Sequence, residues 1–310
     1  MKPFVSVRIA WQKLNIWGRM KLLWHLNFLW FYIQYRLGWV KNYQIKTHTD
    51  WRIDYYCKLS AGNRFPTTTT LNQIKLRGGA GYGYDFYRIM ACFNRPRFNY
   101  LFGDITFVPE IPSFVKSRPI MEANENSVVL PLDIYRHLHF RNDPGRYRYK
   151  LNMAVWRGHT YQRHRQAFLA AAERLYFCNV LDTSQANLAE HPGLWMSVEE
   201  QLRYKIIFSV EGAEVATNLK WIMGSQSLCF MCRPKYETWF REGLLTPGVH
   251  YVEIADDFSD ITAKFNHYTT HIDEAEAIIR NANAYVNEFR DPQAQYDLAQ
   301  AVAFKYLGMN

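Results

Sequence analysis

The chain has 310 residues, 48% hydrophobic and 21% charged, which excludes a disordered or low-complexity protein and is enough for two ordinary domains. The formal charge is +9, but residues 1–50 hold eight Lys or Arg against Asp50 alone, a net of +7, which leaves +2 for the rest. A body so close to neutral lacks the basic face that nucleic-acid binding requires, so no nucleic-acid partner is expected.

Along the chain, the basic segment 1–40 also carries Trp11, Trp17, Trp24, Trp30 and Trp39. Rings interleaved with cations suit a membrane interface, where the rings sit at headgroup depth and the cations meet anionic lipid. The apolar stretch from Leu22 to Ile33 is broken by His25 and Asn27. It is too short to span a bilayer and lacks a signal peptide's small-residue cleavage site. Residues 1–40 are therefore expected to touch an anionic membrane surface, with packing of the aromatics on the body as the alternative. Residues 41–145 hold strand-like runs and a glycine loop, Gly78-Gly79-Ala80-Gly81-Tyr82-Gly83, which fits no phosphate-binding pattern and reads as a flexible loop. Asn142-Asp143-Pro144-Gly145 signals a turn and a domain boundary.

Beyond the boundary the pattern becomes regular. Asn152 to Trp156 reads as a strand, followed by Arg157-Gly158 and a helix from about Gln162, and Val180 to Asp182 closes another strand. The most informative stretch is 203–231. Ile206, Ile207, Phe208 and Val210 form an apolar run before Glu211-Gly212; Val215, Leu219 and Ile222 recur at helical spacing; Ser227 to Met231 is a second run. This predicts strand, glycine turn, helix and buried parallel strand, a unit whose turn lets backbone N–H groups approach a phosphate. His250 to Ile254 reads as a strand, with Asp256 or Asp257 capping the next helix. Ala275, Ile278, Ile279, Ala282, Val286 and Phe289 follow helical spacing, and Asp291-Pro292 opens a last helix. Alternating strands and helices predict an α/β fold. The expected division is a basic segment 1–40, an acceptor-side domain 41–145, a nucleotide-sugar domain 146–290 and a C-terminal helix 291–310. The five cysteines are scattered and odd in number, which fits a reducing cytoplasm; the Cys229/Cys232 pair lacks a second pair for zinc and reads as core.

The wording of four stretches in order, VPEIPSFVKSRPI (108–120), KLNMAVWRGHTYQRHRQAFL (150–169), EGAEVATNLKW (211–221) and PGVHYVEIADDFSDI (247–261), resembles glycosyltransferase family 90. The bacterial branch, which builds lipopolysaccharide or lipooligosaccharide core, is nearest in wording. The resemblance implies a GT-B architecture, two Rossmann-like domains facing across a cleft. It also implies an inverting, metal-independent transfer of a hexose, glucose or galactose, from a UDP-sugar to a heptose of the core. The protein would then be cytoplasmic and peripheral on the inner membrane, where a lipid-linked core oligosaccharide is presented. No cofactor and no metal site are expected; the chain contains no DxD triplet, a common metal–nucleotide pattern. Capsule polysaccharide and protein serine are alternative acceptors. A non-catalytic nucleotide-sugar-binding protein at a membrane is a reading from another class.

Glycosyl transfer requires a stabilised diphosphate, a deprotonated acceptor hydroxyl and an oriented sugar. Arg157-Gly158-His159-Thr160, with Arg165 further on, is the best cationic constellation for the nucleotide, Gly158 allowing close backbone approach. Family members contact the nucleotide with the residue two after that arginine and with the arginine eight after it, here His159 and Arg165. Animal members usually have serine at His159, and arginines at Glu211 and Asn218. Glu211, Gly212, Val215, Ala216, Thr217 and Asn218 would wrap the nucleotide, Glu211 facing ribose or uracil hydroxyls or a cation, with Lys220 the best-matched cation of the motif. The family's proposed catalytic aspartate stands at a strand end in the N-terminal domain, where this chain has Asp104. Lys116 and Arg118 are expected either to contact an anionic acceptor or donor phosphates, or to form a solvated basic loop.

Overall fold

The computed structural model describes residues 29–34, 37, 50–60, 64–74, 81–184 and 195–308. Most of the basic segment expected at a membrane, and Gly78, Gly79 and Ala80 of the glycine loop, lie outside these residues.

The N-terminal half is built on helix α1 (Trp51–Tyr56), strand β1 (Thr69–Thr70), helix α2 (Tyr82–Met90) and strands β2 (Arg97–Phe98), β3 (Tyr100–Leu101), β4 (Ser113–Val115), β5 (Ser117–Pro119) and β6 (Ser127–Val129). Strands β3, β4 and β6 form a parallel sheet in that order, with Phe114 opposite Tyr100 on one side and Val128 on the other. Its core is aromatic: Phe86, Phe98 and Phe114 are fully buried and meet edge to face at 5.0–6.4 Å.

The C-terminal half adds strand β7 (Leu151–Gly158), helix α3 (Arg163–Ala172), strands β8 (Cys178–Asp182) and β9 (Tyr204–Phe208), helix α4 (Leu219–Met223), and strands β10 (Leu228–Met231), β11 (Tyr236–Thr238) and β12 (Val252–Glu253). Helices α5 (Ile261–Thr270), α6 (Ile272–Asn287) and α7 (Pro292–Leu307) complete it. Five of these strands make one parallel sheet in the order β12-β10-β9-β7-β8. A parallel sheet is covered on both faces, so its central strand is buried along its length, all five residues of β9, Lys205 included, being buried. Side chains alternate between two core clusters. Ala154, Trp156, Phe208 and Phe230 point toward Phe168 and Ala172 of α3, whereas Val155, Ile207 and Cys229 point toward Leu219 and Ile222 of α4. Helices α3 and α4 therefore leave the sheet on opposite faces, α3 after β7 and α4 after β9.

The expected α/β alternation and the parallel sheet are present. The boundaries differ in four places. Tyr82 and Gly83, read as part of a flexible loop, form the first turn of α2 with Gly81 as its cap. The helix expected to include Val215 starts only at Leu219, because 211–218 is irregular chain. The strand expected over 250–254 is reduced to β12. The cap of the following helix is Asp260, not Asp256 or Asp257; Asp260 Oδ1 accepts from Ala255 N–H at 2.9 Å and Asp257 serves the Ser259 turn. Asp291 does cap α7, accepting from Gln293 and Ala294 N–H ahead of Pro292 at the first helical position.

The two halves are not simply consecutive. Helix α7 returns to pack on α1 and α2. Tyr306 Oη accepts from Asn99 N–H at 3.0 Å and donates to Pro112 O at 2.9 Å, and Lys305 pairs with Asp54 at 2.8 Å. Strand β11 pairs antiparallel with β5, and Arg118, fully buried there, donates to Glu237 at 2.7 Å. Arg118 is thus a structural cross-link: its fork also reaches Ser127 O and Tyr55 O, so no part of it is a solvated loop.

Candidate active site

A cavity of about 370 Å³ opens at the carboxyl edge of the five-stranded sheet. Its walls follow four strand ends: Gln162 and His164 after β7, 209–216 after β9, Met231 and 232–236 at and after β10, and Asp256 and Phe258 after β12. Chain order reverses across the sheet between β7 and β9, since β8 lies on one side of β7 and β9 on the other. With α3 and α4 departing on opposite faces, the loops at that reversal part and leave a crevice, the usual ligand position in an open α/β sheet. The volume suits a nucleoside-sized ligand.

Arg165 organises the crevice. Its Nε donates to Glu211 O at 2.7 Å, Nη2 to Val210 O at 2.7 Å and Nη1 to His159 O at 3.1 Å. One guanidinium thus ties the loop after β7 to the loop after β9. Gly212 lies against this guanidinium, where a Cβ would stand 3.4 Å from Nη2, an ordinary contact. His164 Nε2 donates to Glu211 O at 2.6 Å. On the other side, Glu211 Oε1 accepts from Lys235 N–H at 3.0 Å, joining this loop to the one after β10. Burial pushes the Glu211 carboxyl up to about 7, against a smaller opposing pull from the Lys235 and Tyr236 N–H groups. The carboxyl is therefore half neutral near pH 7, which limits its repulsion of an anion.

The expected site residues divide into three groups. Glu211, Gly212, Val215 and Ala216 line the cavity, with Arg165 holding its floor. Thr217 and Asn218 line a second hollow of about 310 Å³ with Arg136, His139, Arg141 and Trp221. Asn218 also secures the end of β9, donating to Phe208 O at 3.0 Å and accepting from Ser209 Oγ at 3.3 Å. Arg157, Gly158, His159 and Lys220 line neither space. The Arg157 guanidinium turns to the next strand and donates to Asn179 O and Oδ1, both at 2.8 Å. Gly158 is required by packing, since a Cβ there would lie 2.5 Å from the Trp156 ring. His159 stacks on Tyr161 at 5.4 Å. Lys220 is buried and bonded to Glu242 at 2.5 Å, so its charge is neutralised within the core.

Asp104 lies just beyond β3, half exposed, after Gly103 at φ +117°. Lys116 Nζ donates to Asp104 Oδ1 at 2.6 Å and to Glu214 Oε1 at 2.5 Å. Burial pulls the Lys116 ammonium down, but Glu214, Tyr82 and Asp104 outweigh it and hold the group above the ordinary lysine value. The carboxylate of the N-terminal half is thereby joined to the β9 loop. The sequence places Lys116 at an acceptor, at a phosphate or in solvent; with its side chain 3% exposed it stands instead in an internal bridge.

Sequence reasoning misses Gln162, His164, Cys232, Arg233, Pro234, Lys235, Tyr236, Asp256 and Phe258. The available signal is positional: each wall residue follows the predicted carboxyl end of a strand or sits in the glycine loop. Cys232, read as core, is a wall residue. Among the described residues no group of three His, Cys, Asp or Glu is placed to hold a metal, and no helix is long and apolar enough to cross a membrane.

Two comparisons bear on this geometry. The family model described as Glycosyl transferase family 90 matches residues 133–306, which include the whole five-stranded sheet and both hollows. The O-glucosyltransferase LpsA of Dichelobacter nodosus is 41% identical over 262 residues, which cover 83% of this chain and 82% of that protein.

Proposed function

Because the chain belongs to glycosyltransferase family 90, we propose that it transfers glucose from UDP-glucose to a heptose of a lipopolysaccharide or lipooligosaccharide core, with inversion and without a metal. The observation that carries the donor side is the crevice at the chain reversal, walled by 209–216 and held by Arg165. In this reading uridine enters the cavity, and the diphosphate lies near the Gly212 loop, within reach of Arg165 and His164. N–H donors beside a diphosphate stabilise it as it leaves. Glucose is preferred over galactose because the similar protein is named an O-glucosyltransferase. The two halves act as the facing domains of a GT-B enzyme, with Asp104 the single base that takes the acceptor proton. One base near the acceptor is what an inverting displacement needs. The second hollow, with Arg136 and Arg141 on its wall, is the candidate site for an anionic acceptor.

The test is UDP release from UDP-glucose and UDP-galactose in EDTA, with and without deacylated heptose-containing core oligosaccharide. Acceptor-dependent release from UDP-glucose is expected. Asp104→Asn should lower it by on the order of 100-fold or more while UDP still binds. Release that requires added metal, or near-normal turnover in Asp104→Asn, would remove that part of the reading.

A further inference from the structure

Lys116 has a side chain 3% exposed and two carboxylates within 2.6 Å. Glu214, 4% exposed, comes from the loop after β9; Asp104, 49% exposed, comes from the end of β3. One carboxylate would neutralise a buried ammonium. The second, half exposed and already solvated, adds little to that. Stability therefore does not explain why Asp104 joins the pair. The backbone nevertheless brings it there. Gly103 adopts φ +117°, and a Cβ on it would meet nothing within 4 Å, so conformation rather than crowding calls for glycine. Tyr82 flanks the same carboxylate, its Oη 3.5 Å from Asp104 Oδ1 and its ring 5.6 Å from Lys116 Nζ. Glu214 is equally tied to the cavity. Its carbonyl accepts from Gly212 N–H at 2.9 Å, and its neighbours Ala213 and Val215 are wall residues.

We propose that Lys116 is a positioning residue that, held by Glu214 of the nucleotide loop, aims Asp104 at the acceptor. The proposal rests on reading Asp104 as the base. Lys116 touches neither substrate in this scheme and acts through Asp104. Because one ammonium serves both carboxylates, Asp104 is well aimed only while the nucleotide loop holds Glu214 in place. Acceptor chemistry is thereby conditional on an ordered donor site.

Lys116→Met alone would strand Glu214 as an unpaired buried charge. The variant to use is Lys116→Met with Glu214→Gln, which removes both charges together, alongside Lys116→Arg. The double variant should keep the wild-type unfolding midpoint and its UDP affinity, and lose on the order of 10- to 100-fold in kcat at saturating donor and acceptor, the scale of a misplaced catalytic group. Lys116→Arg, which restores a cation, should recover part of that loss. A folded double variant with wild-type kcat, beside an inactive Asp104→Asn, would overturn the role of Lys116 alone. Turnover by Asp104→Asn would instead overturn the reading beneath it. If the double variant does not fold, Glu214→Gln decides: unchanged kcat at a wild-type unfolding midpoint refutes the proposal, and a tenfold fall with unchanged UDP affinity supports it.

Discussion

Glu211 carries a pH dependence of definite sign. Its carboxyl is raised by burial from 4.5 to about 7. Between those values the folded protein holds a proton that the unfolded chain has released, so stability from this group falls as pH rises from 4.5 to 7 and is level above. Proton loss also places a negative charge beside the proposed diphosphate. UDP should therefore bind more tightly to the wild type at pH 6 than at pH 8, relative to Glu211→Gln measured by calorimetry at the same two values. A wild type whose affinity gains with rising pH against that reference would sink the assignment. Arg165 gives a complementary expectation. Arg165→Ala removes three charged hydrogen bonds to loop carbonyls, so UDP affinity should fall at least about tenfold and the fold should lose about 2 kcal/mol. Unchanged UDP affinity in a folded Arg165→Ala would detach the crevice from donor binding. At this scale the legible residues are those with both a motif and a strand end, Arg165 and Glu211 to Ala216. Lys220 misleads because a cation on a helix looks alike in sequence whether it meets a ligand or, as here, Glu242. The wall residues 232–236 escape notice because a turn has no periodicity; only the strand order brings them to Glu211.

Elements are legible where one period dominates and illegible where packing is non-local. Strands β7, β9 and β10 are apolar runs that a buried parallel sheet demands, and α6 shows its buried stripe in Ala275, Ile278, Ile279, Ala282 and Val286. Val215 gives a false helical signal. It is buried, but as a loop residue lining the cavity, and burial leaves the same apolar trace in either conformation. The final helix is legible as a helix from Asp291-Pro292, but its destination is not. Nothing in 292–307 announces α1, α2 and the β3–β4 region as its partners. Tyr306 is the decisive contact, fully buried, with its ring 4.1 Å from Phe114 and its hydroxyl serving Asn99 and Pro112. Tyr306→Phe keeps the ring and leaves those two backbone groups without that partner, so the fold should lose about 1–3 kcal/mol. Denaturant unfolding checks the stability and the UDP-release assay checks kcat, which should stay at the wild-type value because the contact lies away from both hollows. A normal unfolding midpoint would mean that water replaces the hydroxyl at no cost and that α7 is held by apolar packing alone.

At the scale of the whole molecule, charge and apolar exposure coincide at the N-terminal end. Residues 1–50 carry net +7 of the total +9. The described turn of helix at 29–34 shows how that end meets the body. Phe31 and Tyr32 pack on the core, Tyr32 lying 5.7 Å from Tyr87 and Arg88 standing 5.8 Å over Phe31. Leu29, Trp30, Ile33 and Leu37 face outward, 40–57% exposed. The packing reading thus applies to one face of this short helix, and the other face is left open for the proposed membrane contact. A basic segment with an exposed apolar face fits an anionic bilayer, and each basic residue near such a surface contributes about 1 kcal/mol. The proposed lipid-linked acceptor would be met at the same surface. Co-sedimentation with vesicles containing anionic lipid should therefore show binding that weakens as salt is raised, since exposed charges are screened within about 8 Å at physiological ionic strength. Trp30→Glu should reduce it by on the order of tenfold at constant salt, because a charge then enters the apolar face. Kinetics with the deacylated, water-soluble acceptor should be unchanged in the same variant, which separates a membrane role from damage to the site. Binding indifferent to both salt and Trp30→Glu would place the membrane contact elsewhere on the molecule.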